Sequence, residues 1–150
     1  MNAVIQRVTS AKVEIGNVIK GQIQSGFMIL LGVAQNDNDS DVKWLAKKIV
    51  GMRIFSDEEG KMNKALGDID GNILLISQFT LQASTKKGNR PSYLNAAAPD
   101  KAVPLYENMI NELQELLGKK IETGEFGADM QVSLLNDGPV TIIIDTKDKK

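Results

Sequence analysis

The strand-like run "NILLISQFTL" places Ser77, Gln78 and Thr80 where leucine or valine is expected. A buried polar group without a partner costs roughly 1–3 kcal/mol, so polar residues this close together require a reason. Strand alternation puts Ile76, Gln78 and Thr80 on one face, with Ser77 and Phe79 on the other. Two explanations stand. Either the strand ends here, with hydroxyls and an amide tying down the next loop, or it becomes the wall of a site. Composition limits the chemistry of such a wall. The chain has no histidine and no cysteine. That removes the commonest general base, the commonest zinc ligand and both Ser-His-Asp and Cys-His machinery. An enzyme of this composition works with hydroxyls, amides, carboxylates, Lys or Arg, or with groups on the substrate itself.

A second interruption is Asn136-Asp137-Gly138-Pro139, set between Val132, Leu134 and Leu135 on one side and Val140 and Ile142–Ile144 on the other. It has turn chemistry and predicts two closing strands around it. Gly-Pro suits a plain hairpin poorly, because the favoured two-residue turns want positive φ and proline fixes φ negative. The pair is either an ordinary loop or a cis X-Pro unit, found at about one in twenty such bonds. A cis unit would aim a rigid pair of carbonyls outward, with glycine admitting another molecule close to the backbone. Arg7 carries a fork of donors able to brace that loop, or is a surface arginine. "TKKGNRP" gathers Lys86, Lys87 and Arg90 in one loop, which is either simply solvated or a basic edge that guides an RNA end. Asp57, Glu58 and Glu59, beside Gly60-Lys61, read as an exposed turn rather than a carboxylate site.

The elements that must position these residues follow from pattern. At 150 residues the chain is expected to be one domain, large enough to bury a core. No apolar run reaches the roughly 18 residues of a membrane span, and the start lacks the form of a signal peptide. A net charge of -1 excludes a protein that grips nucleic acid over its whole surface. The absence of cysteine fits a reducing cytoplasm. "VIQRV" and "AKVEIG" predict two short strands, "GNVIKGQI" a hairpin turning at Gly16-Asn17, and Phe27–Val33 a central strand. Val42, Leu45, Ala46 and Ile49 share a helical face, with Asp39 or Ser40 as N-cap, Gly51 as stop and Trp44 packing beside it. "MRIF" is expected to re-enter the sheet. A second helix is predicted from Pro99 to Leu117, ended by Gly118, with Pro104 tolerated only in its first turn. The tail from Asp145 to Lys150 is expected to fray. Together these predict an α+β protein, a curved, barrel-like mixed sheet covered by two amphipathic helices.

Read in order, "IQRVTSAKV", "GFMILLGV", "RIFSDEEGKMN", "SQFTL", "GNRPSY", "APDKAVPLYE" and "GEFGADMQVSLLNDGPVT" resemble the D-aminoacyl-tRNA deacylases of the D-Tyr-tRNA deacylase type. The two signature segments match Ser77–Leu81 and Asn136–Thr141, and the resemblance spans nearly the entire chain. It departs at Asn89 and Tyr93, where the family often has methionine and phenylalanine, outside both signatures. The resemblance implies that family's fold and a cytoplasmic homodimer with active sites at the subunit interface. The enzyme would hydrolyse the ester joining a D-amino acid to tRNA, or glycine mischarged on tRNA(Ala), with no metal or cofactor. It implies that Ser77, Gln78, Phe79 and Thr80 form the catalytic wall, with N–H groups near Gln78 and Phe79 as oxyanion donors. Gly138-Pro139 would enter the partner's pocket as a cis unit that excludes L substrates, supported by Arg7 and Thr141. Lys86, Lys87 and Arg90 would meet the tRNA. Thr80 has no base nearby in sequence, which favours water attack assisted by the ribose 2′-hydroxyl over a covalent route. Two rivals remain: a non-catalytic RNA-end-binding module, and an interaction protein whose polar strand seals an interface.

Overall fold

In the computed structural model, which describes residues 1–150, "VIQRV" and "AKVEIG" are one strand, β1 (Asn2–Ile15). It stays continuous because an irregularity near Thr9, where Val8 pairs with Asn136 but Ser10 with Leu135, absorbs a change of side. Ala3 and Ile5 therefore face one core, whereas Val8, Ala11 and Val13 all face the other. An extra residue reverses strand parity, which is what a bulge does. Gly16 (φ 55) and Asn17 (φ 64) supply the positive-φ pair of a tight hairpin into β2 (Val18–Ile23).

β3 (Gly26–Gly32) is the central strand, antiparallel to β1 and parallel to β6 (Asn72–Ser77). The short β7 (Glu122–Thr123) extends the parallel side. The last strand, β8 (Gln131–Asp145), runs antiparallel along the remaining edge of β1. The sheet curls until β2 meets β6 and β7, giving a nearly closed barrel. The "MRIF" segment does not re-enter this sheet. Its last residue, Phe55, opens β4 (Phe55–Ser56), which pairs with β5 (Met62–Lys64) as a separate ribbon. Between them the Asp57 carboxylate accepts the N–H groups of Glu59 and Lys61, so the acidic run is a turn.

Helix α1 (Asp39–Gly51) begins one residue earlier than its expected caps. Asn38 accepts from the Ser40 N–H at 2.9 Å, while Asp41 accepts from the Asn38 N–H at 2.9 Å. This reciprocal box satisfies two otherwise orphaned donors. Helix α2 spans Pro99–Leu117 and stops at Gly118, as the pattern predicts. Pro104 lies in its second turn rather than its first, so the Asp100 carbonyl loses a helical donor there. Leu105, Tyr106, Met109 and Leu113 join Val42, Leu45 and Ile49 of α1 over Ile5, Phe27, Ile29 and Leu75 of the sheet. The opposite face closes on Met28, Leu74 and Ile76. The fold is thus the expected α+β barrel-like sheet backed by two helices. No helix is long and apolar enough to cross a membrane.

The tail differs from expectation. Thr146 is buried, and its hydroxyl and N–H bond to the ammonium and carbonyl of Met1. Lys147 reaches the Asp41 carboxylate at 2.8 Å, and Lys149 lies over the Trp44 ring. A mixed-sign tail frays only when its charges lack partners, and here the fold supplies them.

Candidate active site

β6 ends at Ser77, and Phe79–Gln82 coil into a 3-10 turn closed by Leu81 N–H to the Gln78 carbonyl (3.3 Å). The strict alternation expected through Thr80 therefore stops at Ser77. Its last rung is the Gln78 N–H, which donates to the Leu31 carbonyl at 2.8 Å. This removes Gln78 from the expected oxyanion donors. The N–H groups of Phe79 and Thr80 come first in the turn, where no carbonyl inside the turn faces them. The turn fits because residue 32 beneath it is glycine: a Cβ there would stand 2.9 Å from the Gln78 carbonyl oxygen and 2.9 Å from Leu81 Cβ. Gln82 is buried and ties its amide to the Gly32 carbonyl at 3.2 Å.

The turn forms one rim of a cleft of about 280 Å³. Ser77, Gln78 and Phe79 line it, opposite a loop carrying Phe126 and Asp129, with Tyr106 from α2. Thr80 lines none of it, and its hydroxyl accepts a hydrogen bond from the Gln78 amide. Phe79 is 55% exposed and meets Tyr93 edge-on, with centroids 5.1 Å apart. Tyr106 donates its hydroxyl to the Leu75 carbonyl at 3.0 Å, and burial pushes its pKa up to about 12. The phenol therefore stays protonated at neutral pH. No cluster of three or more carboxylates that could hold a metal ion occurs in the chain. The cleft's own polar atoms are a hydroxyl, an amide, backbone groups, a protonated phenol and one carboxylate, that of Asp129.

The Gly138-Pro139 segment is not a turn between two strands. β8 pairs with β1 on both sides of it: Thr141 faces Gln6 and Asn136 faces Val8, leaving Asp137–Val140 to bow out opposite Arg7 alone. The Gly138-Pro139 peptide is cis. Beneath the bow, Arg7 donates Nε to the Asp137 carbonyl (3.2 Å) and Nη1 to the Ile54 carbonyl (2.7 Å), with the Asp137 carboxylate 3.3 Å from Nε. Asn136 donates its amide to the Thr141 hydroxyl across the base (3.1 Å). Gly138 and Pro139 are exposed and line no part of this chain's own cleft. The structure thus brings Arg7 and Thr141 to the bow, and Ser77–Phe79 to the cleft, but does not join the two groups within one chain. Lys86, Lys87 and Arg90 stand exposed, without ion pairs, in a loop whose base is closed by paired Ser84 and Ser92 (2.8 and 2.9 Å).

Tyr106, Phe126 and Asp129 were missed in the sequence as cleft residues. Tyr106 sits in the apolar stripe of α2 and reads as core. The loop "GEFGAD" falls in a segment of the family resemblance, but by composition it carries only its glycines as a signal.

The architecture is a nearly closed mixed sheet with two helices on one face. A solved structure described as that of a probable eukaryotic D-amino acid tRNA deacylase shares this fold, with a TM-score of 0.82 over 95% of this chain and 97% of its own at 15% identity. The chain belongs to the D-Tyr-tRNA(Tyr) deacylase family, whose profile matches residues 4–145. D-aminoacyl-tRNA deacylases of Bacteroides fragilis and Phocaeicola vulgatus are 60% and 59% identical over the full length of both chains. A solved c-Myc DNA Unwinding Element Binding Protein is 38% identical, with a TM-score of 0.90 over 97% of this chain and 98% of its own.

Proposed function

We propose that the protein hydrolyses the ester of D-aminoacyl-tRNA to free D-amino acid and tRNA in the cytoplasm, and rejects the L-aminoacyl ester. The observation that carries this reading, beside family membership, is the histidine-free cleft that opens where β6 gives way to the 3-10 turn. An aminoacyl ester is already activated, so positioning and oxyanion stabilisation suffice without a strong base. Water adds to the ester carbonyl, and the oxyanion is held by the Phe79 N–H at the rim of the cleft. The proton lost by the attacking water passes through the neighbouring 2′-hydroxyl to the ribose 3′-oxygen, which leaves as a hydroxyl when the C–O bond of the ester breaks. Ser77 and Gln78 shape the wall, and Thr80, held by the Gln78 amide, orients groups rather than attacking.

Chirality is assigned to the bow of a second copy. Gly138-Pro139 projects from β8 into solvent, and the same strand exposes Leu135 (62%) and Ile143 (73%), which supports pairing with another chain. In such a homodimer the bow, braced by Arg7 and Thr141, enters the partner's cleft and stands where an L side chain would point. A D side chain escapes to solvent. Selection by exclusion leaves glycine unopposed, so glycyl-tRNA(Ala) is also cleaved. Lys86, Lys87 and Arg90 steer the tRNA end.

A deacylation assay with matched D- and L-aminoacyl-tRNA tests the reading. Release of the D form alone supports it, whereas binding without release would leave an RNA-end-binding module. Thr80→Ala retains substantial cleavage if water attacks; loss of cleavage with a trapped acyl-enzyme in the wild type would establish the covalent route. A tRNA lacking the terminal 2′-hydroxyl is cleaved far more slowly, and an unchanged rate would remove the RNA from the mechanism.

A further inference from the structure

Only two aromatic side chains of the chain are exposed, Phe79 and Tyr93, and they meet edge-on. Phe79 lines the cleft, whereas Tyr93 does not, so its ring stands beyond Phe79 on the outer side of the rim. Burial does not account for its presence: Tyr93 is 40% exposed, and the adjoining Leu94 is 81% exposed. Tyr93 is nonetheless held in place. Its carbonyl accepts the Ala96 N–H at 3.0 Å, and Ser92 on its other side is paired with Ser84. Beyond it, Gln35 donates its N–H to the Asn95 carbonyl at 3.1 Å and its side-chain amide to the Leu94 carbonyl. A ring positioned beforehand loses little freedom when a ligand stacks on it.

The charge beside the ring is of one sign. From Gly71 to Pro99 the sequence has no acidic residue, and its charges are Lys86, Lys87 and Arg90, in the loop that Ser84 and Ser92 close. On a chain of net charge -1 this is a local basic field. An apolar protein partner would gain nothing from three cations without ion pairs. An unpaired nucleobase on an anionic backbone uses both features, since every base offers a face to stack and its phosphates follow the charge.

We propose that Tyr93 is a binding residue that stacks the unpaired base preceding the aminoacylated nucleoside of the RNA end. The proposal rests on the deacylase reading, which seats the terminal ester in the cleft and so brings the preceding nucleotide to its rim.

The test uses D-phenylalanyl esters of increasing length: of adenosine, of the dinucleotide cytidylyl-adenosine, and of tRNA. In the wild type, KM is expected to fall about tenfold from the adenosine to the dinucleotide ester with little change in kcat, the scale of one stacked base. Tyr93→Ala is expected to raise KM about tenfold for the dinucleotide and tRNA esters and to leave it unchanged for the adenosine ester. Tyr93→Phe keeps wild-type values throughout, because the ring and not the hydroxyl stacks. Equal effects on all the esters, or none on any, would overturn the assignment while leaving the deacylase standing. So would a Tyr93→Ala protein that sediments as a smaller particle than the wild type, which would make the ring a contact between copies. Wild-type protein that cleaves none of the esters would remove the deacylase reading, and this proposal with it.

Discussion

Two polar regions of this chain are built on opposite terms. At the junction of the chain ends, the Met1 ammonium donates to Asp37 at 2.7 Å and to Thr146 at 2.9 Å. Asp37 also accepts the Ala34 N–H at 2.7 Å, and Lys147 spans Asp41 and Asp37. Asp37 and Thr146 are almost fully buried, yet every polar side-chain atom there has a partner. The cleft is only partly saturated: Tyr106 and Gln78 are hydrogen-bonded, but Asp129 is unpaired and the first N–H groups of the 3-10 turn face no carbonyl inside it. The one buried side-chain atom in the chain with no partner is Asn136 Oδ1, at the base of the Gly138-Pro139 bow. Saturated polar groups hold structure, and spare ones are available to a ligand.

The sharpest way to break this contrast is Asp37→Ala. It strands a buried ammonium, and removing one partner of such a pair costs about 3–5 kcal/mol. Urea denaturation is expected to show that loss, while deacylation per folded molecule stays at the wild-type level. A variant with normal stability and impaired cleavage would mean that the junction serves the reaction.

Gly32→Ala strikes the other region. Its Cβ meets the Gln78 carbonyl at 2.9 Å, and a backbone atom there yields only by displacing the turn. Overpacking of this kind costs about 1–3 kcal/mol. The larger effect is on kcat/KM, down by as much as about 100-fold, because misplacement by 1 Å is felt at that scale. Normal kinetics in a destabilised variant would show that the turn's position is not what the cleft depends on.

Much of this organisation was legible in the sequence, and the exceptions share a cause. Both helices, the central strand and the Gly16-Asn17 hairpin follow from periodicity and local turn chemistry. What misled were breaks that the fold spans rather than obeys. Thr9-Ser10 looks like the gap between two strands, and Asn136–Pro139 like a break between two closing strands. In fact β1 and β8 are partners that pass both breaks together, with the surplus residues bowing outward. Pairing across more than a hundred residues leaves no local signature. Phe79 came only from the family resemblance. Ser77, Gln78 and Thr80 were visible as a candidate wall because polar residues in a core strand are costly, although Thr80 lines none of the cleft. Asp129 was not, because an acidic residue in a glycine-bearing loop is ordinary until the fold sets an apolar cleft around it.

Acid titration sharpens the junction further. Burial works to raise the Asp41 pKa, but hydrogen bonds from Lys147, the Asn38 N–H and Thr146, with the Lys147 charge, together outweigh it and hold the value below the usual 3.8. A carboxyl lowered in the folded state contributes its stability fully above the unfolded pKa and loses it as pH falls through the folded one. Asp41→Asn is therefore expected to cost about 1 kcal/mol near neutrality, since Lys147 is partly solvated. The gap from wild type is expected to close below about pH 4. A gap that persists in acid would assign the effect to the capping box rather than to charge.

The smallest expected effect falls where the two regions meet, at Tyr106, which lines the cleft yet has its hydroxyl committed to the Leu75 carbonyl. If saturation separates structure from chemistry, this phenol belongs with structure despite its position. Tyr106→Phe leaves that carbonyl without its hydroxyl donor and is expected to cost about 1 kcal/mol. The pH–rate profile should not move, because a phenol that ionises near 12 offers no base across the working range. A fall in kcat with an altered alkaline limb would instead mean that the hydroxyl leaves Leu75 to meet substrate. A committed hydrogen bond would then be no guide to which groups of the cleft react.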